Sequence, residues 1–124
     1  MTHVENEIHK DDLKSCHIGK GDIVLLKTRT SKVGYREFKK YFKHITLDAA
    51  KYLVESEVKT LGFDYLSVKK FGGDDEAHRV LINNLTAFEG LYLAEVPEGE
   101  YIFIGLPLRI NCDGAPARIL LVED

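Results

Sequence analysis

Residues 45–68 read ITLDAAKYLVESEVKTLGFDYLSV, and their pattern decides the fold class. Thr46 offers an N-cap and Asp48 places a carboxylate in the first turn, where the helix dipole favours it. Ala50, Leu53, Val54 and Val58 then supply a helical stripe that ends at Gly62. Phe63 to Val68 reads as a strand. Upstream, Ile23-Val24-Leu25-Leu26 is a continuous apolar run of strand length between Gly21-Asp22 and Lys27-Thr28, which predicts a strand buried on both faces. Strand, helix, strand is the order of a crossover unit, so an α/β fold with a mixed sheet and flanking helices is expected.

On the N-terminal side a short polar helix is expected over Lys10 to Cys16, with Asp11 and Asp12 near its start and Gly19 and Gly21 beyond its end. On the C-terminal side Gly72-Gly73 marks a turn. Asp74, Asp75 and Glu76 then open a helix that runs to about Asn84. Thr86 to Val96 contains a strand, Pro97 to Glu100 a turn, and Tyr101 to Ile104 a strand running toward Leu108, with Pro107 limiting its pairing. Asn111 to Gly114 supplies a further turn before a last apolar strand over Ala117 to Val122. The 124 residues show no internal repeat and no linker, and are read as a single domain, 1–124.

Composition narrows the function classes. Hydrophobic residues make up 44% of the chain and charged residues 30%, a balance that supports a packed interior. The formal net charge of −3 gives no global attraction to a phosphate backbone. Basic residues cluster with aromatics only in YREFKKYFKH, residues 35–44. Single-strand nucleic-acid binding by stacking is one reading of that cluster. The helical spacing of Tyr35, Phe38 and Phe42 favours a partly buried helix or loop with solvated lysines, so no nucleic-acid partner is expected. No stretch approaches a membrane span and the N-terminus is polar from Thr2 to Lys14, so a cytoplasmic protein without a membrane partner is expected. Cys16 and Cys112, in no CxxC arrangement, are read as free thiols.

The chemistry-bearing segment is AHRVLINNLTAFEGL, residues 77–91. His78 on a short helix and Glu89 on the following strand are residue types a divalent metal recruits. Each also has a plainer reading: His78 as a solvated helix-surface histidine beside acidic residues, Glu89 as a salt-bridge partner of Arg109 or Arg118. Asp64 and Ser67 could line the same cleft or serve a strand-end turn. Asp113-Gly114 reads as a turn, and His44 carries no assigned chemistry. There is no GxSxG elbow, no phosphate-binding glycine loop and no HExxH.

GDIVLLKT (residues 21–28), ITLDAAKYLVE (45–55), LGFDYLSV (61–68), AHRVLINNLTAFEGL and YIFIGLPLRINCDGAPAR (101–118), in this order, resemble the cyclase family of metal-dependent hydrolases, which includes bacterial kynurenine formamidases. The resemblance implies a swivelling α/β fold, a tendency to oligomerise, and a divalent metal, zinc or manganese. It implies a metal-activated water that attacks an amide or ester carbonyl of a small-molecule substrate. It assigns His78 and Glu89 to one metal position, and it assigns this chain no catalytic residue.

Two departures qualify that implication. The family's main metal motif, HxGTHxDxPxH, has no counterpart before Gly21, where the histidines are His3, His9 and His17. The chain is therefore expected to be the C-terminal portion of such a hydrolase, inactive alone and completed by an N-terminal segment or by self-association. Ten residues separate His78 from Glu89 where eleven are expected, a shortening around Asn83 to Ala87 that would turn Glu89 to the opposite face if it fell within a strand. The alternative is a non-catalytic α/β assembly or ligand-binding domain that retains the scaffold.

Overall fold

The computed structural model describes residues 6–33 and 37–124. Tyr35 of the basic aromatic cluster lies outside them. Among the described residues seven strands and four helices follow in the order β1 (Glu7–Ile8), α1 (Lys10–Lys14), β2 (Ile23–Leu26), α2 (Thr30–Val33), β3 (His44–Ile45), α3 (Leu47–Glu55), β4 (Thr60–Phe63), α4 (Glu76–Ile82), β5 (Thr86–Phe88), β6 (Ile102–Pro107) and β7 (Ala117–Val122). The expected α/β class holds. Among the described residues the strands divide into a parallel pair β1-β3, a parallel sheet β2-β4-β5 and an antiparallel hairpin β6-β7.

The crossover unit exists, with its boundaries displaced. Helix α3 stops at Glu55, well before Gly62, because Glu57 adopts φ 55°. The Val58 amide then donates to the Leu53 carbonyl (3.2 Å) and the Glu57 amide to Val54 (3.0 Å), a Schellman termination. Val58 and Leu53 are both in the core. A left-handed non-glycine residue costs about 1–2 kcal/mol, so Glu57→Gly is expected to stabilise the chain by about 1 kcal/mol, read as a raised urea midpoint.

The strand after α3 is Thr60–Phe63, not Phe63 to Val68, and it is the central strand of the parallel sheet. All four of its residues are buried. Leu61 and Phe63 join Leu53, Ala49, Ala50 and Leu81 in the core, which α3 and α4 cover. By contrast β2 is an edge strand: Ile23 is exposed and Val24, Leu25 and Leu26 are only half-buried, because one side of the strand opens onto a groove. The strand expected within Thr86 to Val96 is β5, which ends at Phe88 just before Gly90 turns at φ 74°. The chain still follows β4: Gly90 donates to the Tyr65 carbonyl (2.7 Å) and Leu91 to Phe63 (3.0 Å).

Thr46 occupies the N-cap position of α3, yet its hydroxyl donates to the Ile8 carbonyl at 2.8 Å and bonds the Asp48 carboxylate, so it tethers β1 in place of capping the helix. Glu7 strengthens the same junction, its two oxygens 3.0 Å from His9 Nε2 and 3.8 Å from His44 Nε2. Burial lowers the pKa of His44 despite the opposing pull of the Phe42 carbonyl and Glu7. The neutral ring is therefore the form that folds. The penalty is absent above the ordinary histidine value of about 6.5 and grows as pH falls through and below it, down to the depressed folded value. Acidifying from about pH 7.5 to about pH 5 should thus lower the urea midpoint, and His44→Gln should shrink that drop.

Candidate metal centre

Strands β2, β4 and β5 run the same way, so the residues that follow them share one rim: Lys27 and Thr28 after β2, Asp64 after β4, Glu89 after β5. Carboxyl ends of parallel strands are where open α/β sheets gather ligands. Helix α4 leads back from this end to the start of β5, which places His78, in its first two turns, toward the same rim.

Glu89 is exposed, and its Oε1 accepts the Val68 amide at 2.9 Å. It forms no ion pair with Arg109 or Arg118 among the described residues. The β4-β5 register runs without interruption from Thr60↔Thr86 to Gly62↔Phe88. Asn83, Asn84 and Leu85 connect α4 to β5, and the pairing of β5 beyond them is regular. His78 is half-exposed, and its neighbour Asp75 is bonded by the Lys69 ammonium, which holds the Asp75 carboxyl below its usual range.

Imidazole and carboxylate suit zinc or manganese, but two donors fall short of a coordination shell. Among the described residues no group of three or more His, Cys, Asp or Glu side chains is placed to hold a metal ion. The donor set of these residues fits such an ion only in part.

Asp64 is the residue whose role the sequence left open. Fully buried, it accepts the Thr28 amide, the Thr28 hydroxyl (2.9 Å) and the Ser31 hydroxyl (2.6 Å). It fixes the loop after β2, including the unforeseen α2, against the end of β4. Its partners lie more than thirty residues upstream; the only signal in the sequence was an acidic residue inside an apolar run. Ser67 keeps the turn role, its Oγ accepting the Lys69 amide at 3.1 Å. Asp113 and Gly114 lie in an exposed bend, and Cys16 and Cys112 are free, exposed thiols.

A broad groove of about 1350 Å³ separates β2 from the β6-β7 hairpin, with Leu25, Leu26, Phe103 and Leu121 among its walls. Lys27 spans its margin, donating to the Ala94 (3.1 Å) and Val96 (2.7 Å) carbonyls. The hairpin packs Phe103 against Phe88, ring centroids 5.4 Å apart. Its other face, carrying Ile102, Ile104, Leu106, Leu120 and Val122, is exposed. No helix among the described residues is long and apolar enough to cross a membrane.

Known proteins share this arrangement. A structure described as "The structure of predicted metal-dependent hydrolase from Bacillus stearothermophilus" superposes with a TM-score of 0.86 at 36% identity, over 98% of this chain and 59% of that one. A second, described as "The Structure Of Potential Metal-Dependent Hydrolase With Cyclase Activity", gives the same score and identity over 98% and 60%. Cyclase-like protein 1 of Arabidopsis thaliana is 34% identical over 128 residues, 96% of this chain and 50% of the relative. Kynurenine formamidase of Bacillus cereus is 30% identical over 117 residues, 92% and 56%. The chain thus spans about half the length of the curated relatives it matches. The family model described as "Putative cyclase" matches residues 1–70, and with the fold and the identities in agreement, the chain belongs to the cyclase family.

Proposed function

We propose that residues 1–124 act as one partial domain of a metal-dependent amide or ester hydrolase of small molecules, supplying His78 and Glu89 as two ligands of one zinc or manganese ion. The observation that carries this reading is the position of Glu89, directly after β5 on the carboxyl rim of the parallel sheet, with α4 bringing His78 to the same end. Relatives described as metal-dependent support the ion itself. When bound, such an ion polarises a carbonyl and lowers the pKa of a water. The remaining ligands would come from a segment carrying HxGTHxDxPxH, on this polypeptide or another. Residues 1–124 alone are expected to be inactive.

The groove beside β2 and the bare hairpin face support a complementary segment or a second copy as partner, because an edge strand and an apolar patch both favour association. Exposed free thiols are compatible with a cytoplasmic setting.

The test is to combine the chain with an HxGTHxDxPxH-bearing segment from a relative, isolate the complex, and measure bound metal by elemental analysis alongside aryl formamide hydrolysis. Metal and activity should appear together, and His78→Ala or Glu89→Ala should each reduce metal affinity by about tenfold or more. A complex that retains the same metal with both residues replaced would refute the ligand assignment and favour the scaffold-only alternative.

A further inference from the structure

Of the two forms expected for the basic aromatic segment, a helix or a loop, its described residues take the loop. Residues 37–43 form an irregular loop, held by Tyr65 at Lys39 and Phe42. The Tyr65 hydroxyl accepts the Lys39 amide (2.8 Å) and donates to the Lys39 carbonyl (3.1 Å), and its ring lies 4.4 Å from that of Phe42. Beside this loop is a second cavity of about 270 Å³, walled by Asn6, Lys40, Tyr41, Phe42, His44, Lys70 and Phe71.

Three features of the cavity bear on what it takes. No carboxylate lines it among the described residues. Of the nearby lysines, Lys39 is paired with Glu37 and Lys69 with Asp75, whereas Lys40 and Lys70 have no ion-pair partner among the described residues. Lys40 is held over the Phe71 ring, its ammonium 5.7 Å from the centroid, and Phe38 supports Phe71 edge-on at 5.3 Å. Lys70 stands close enough to His44 to oppose its protonation. Two ammonium groups without an ion-pair partner among the described residues, one of them over an aromatic ring, match a ligand with an anionic head and a flat ring.

We propose that this cavity binds a small aryl anion, an aromatic phosphate or carboxylate, with Lys40 and Lys70 on the anionic head and Phe71 against the ring. The cavity has room for one ring and its head group, at the small end of ligand pockets. That size and the net charge of −3 favour a small molecule over a nucleic-acid strand. The site stands independently of the metal reading: its residues do not include His78 or Glu89.

Amide-resolved NMR titration of the full chain with phenyl phosphate and benzoate tests it. Both should give saturable shifts at residues 40–44 and 70–71 with dissociation constants of about 1 mM or tighter, and whichever binds more tightly identifies the head group. Benzyl alcohol and inorganic phosphate should each bind at least about tenfold more weakly, since each lacks one half of the ligand. Replacing both lysines (Lys40→Ala with Lys70→Ala), or Phe71→Ala alone, should weaken binding about tenfold, while Lys14→Ala, on α1, should leave it unchanged. The proposal is overturned if no saturation occurs by about 10 mM, if the double variant binds as well as the native chain, or if oligothymidine binds the same residues more tightly than phenyl phosphate.

Discussion

Asp64→Ala is expected to destabilise the fold by about 3 kcal/mol, because it strips a buried carboxylate acceptor from three donors. The Thr28 amide, the Thr28 hydroxyl and the Ser31 hydroxyl all converge on this carboxylate, and Asp64 is fully buried. In thermal unfolding the loss corresponds to about 10 °C for a chain of this size. Asp64→Asn keeps the shape and one acceptor oxygen but turns an NH₂ toward donors, so it should cost nearly as much. Thr28→Val, which removes one hydroxyl and leaves the amide and Ser31 in place, should cost only about 1 kcal/mol. A loss below about 1 kcal/mol for Asp64→Ala would mean that the three donors find other partners, and the network would not be what fastens the β2 loop to β4. The same variants bear on the rim: if Asp64 fixes the β2 loop, its removal should disorder the Lys27-Thr28 side while leaving the Glu89–Val68 contact, on the opposite strand, intact.

What the sequence disclosed and what it withheld follow from how local each signal is. The α3 stripe and the strand at Ile23 to Leu26 depend on short-range periodicity, and both elements formed. The displaced boundaries came from competing local choices that periodicity does not rank. Glu57 ends the helix in a conformation that composition does not advertise, and Gly62, read as a helix terminator, is in mid-strand instead. The exposure of Ile23 was illegible for a different reason: a continuous apolar run specifies that both faces are apolar, not that both are covered. At the candidate site, the residue type and its apolar neighbours drew attention to Glu89, but nothing in a carboxylate between Phe88 and Gly90 specifies a strand end. The Asp64 network and the Glu7–His44 pair join residues more than thirty positions apart, and no single-sequence spacing encodes which partners meet.

Gly62→Val should be the second severe change, through overpacking. A Cβ at this position would stand 2.4 Å from Leu25 Cδ2 and 2.7 Å from Leu91 Cδ1, both closer than real side chains approach. Gly62 lies at the middle of the sheet, paired with Leu25 on β2 and Phe88 on β5, so neither neighbouring strand can withdraw without breaking the ladder. Only side-chain rotation is available, and Leu91 is already buried. Gly62→Ala should cost about 1 kcal/mol net, since restricting the unfolded chain offsets part of the clash. Valine adds two methyl groups to the same space, and about 3 kcal/mol is expected in urea unfolding. The mechanism predicts strong non-additivity: Leu25→Ala is destabilising alone, yet combined with Gly62→Val it should recover at least about 1 kcal/mol relative to the sum of the two, because the cavity made by one receives the bulk of the other. If the double variant is simply additive, the clash is not with Leu25, and the close approach of β2 to the central strand is not what requires a glycine here.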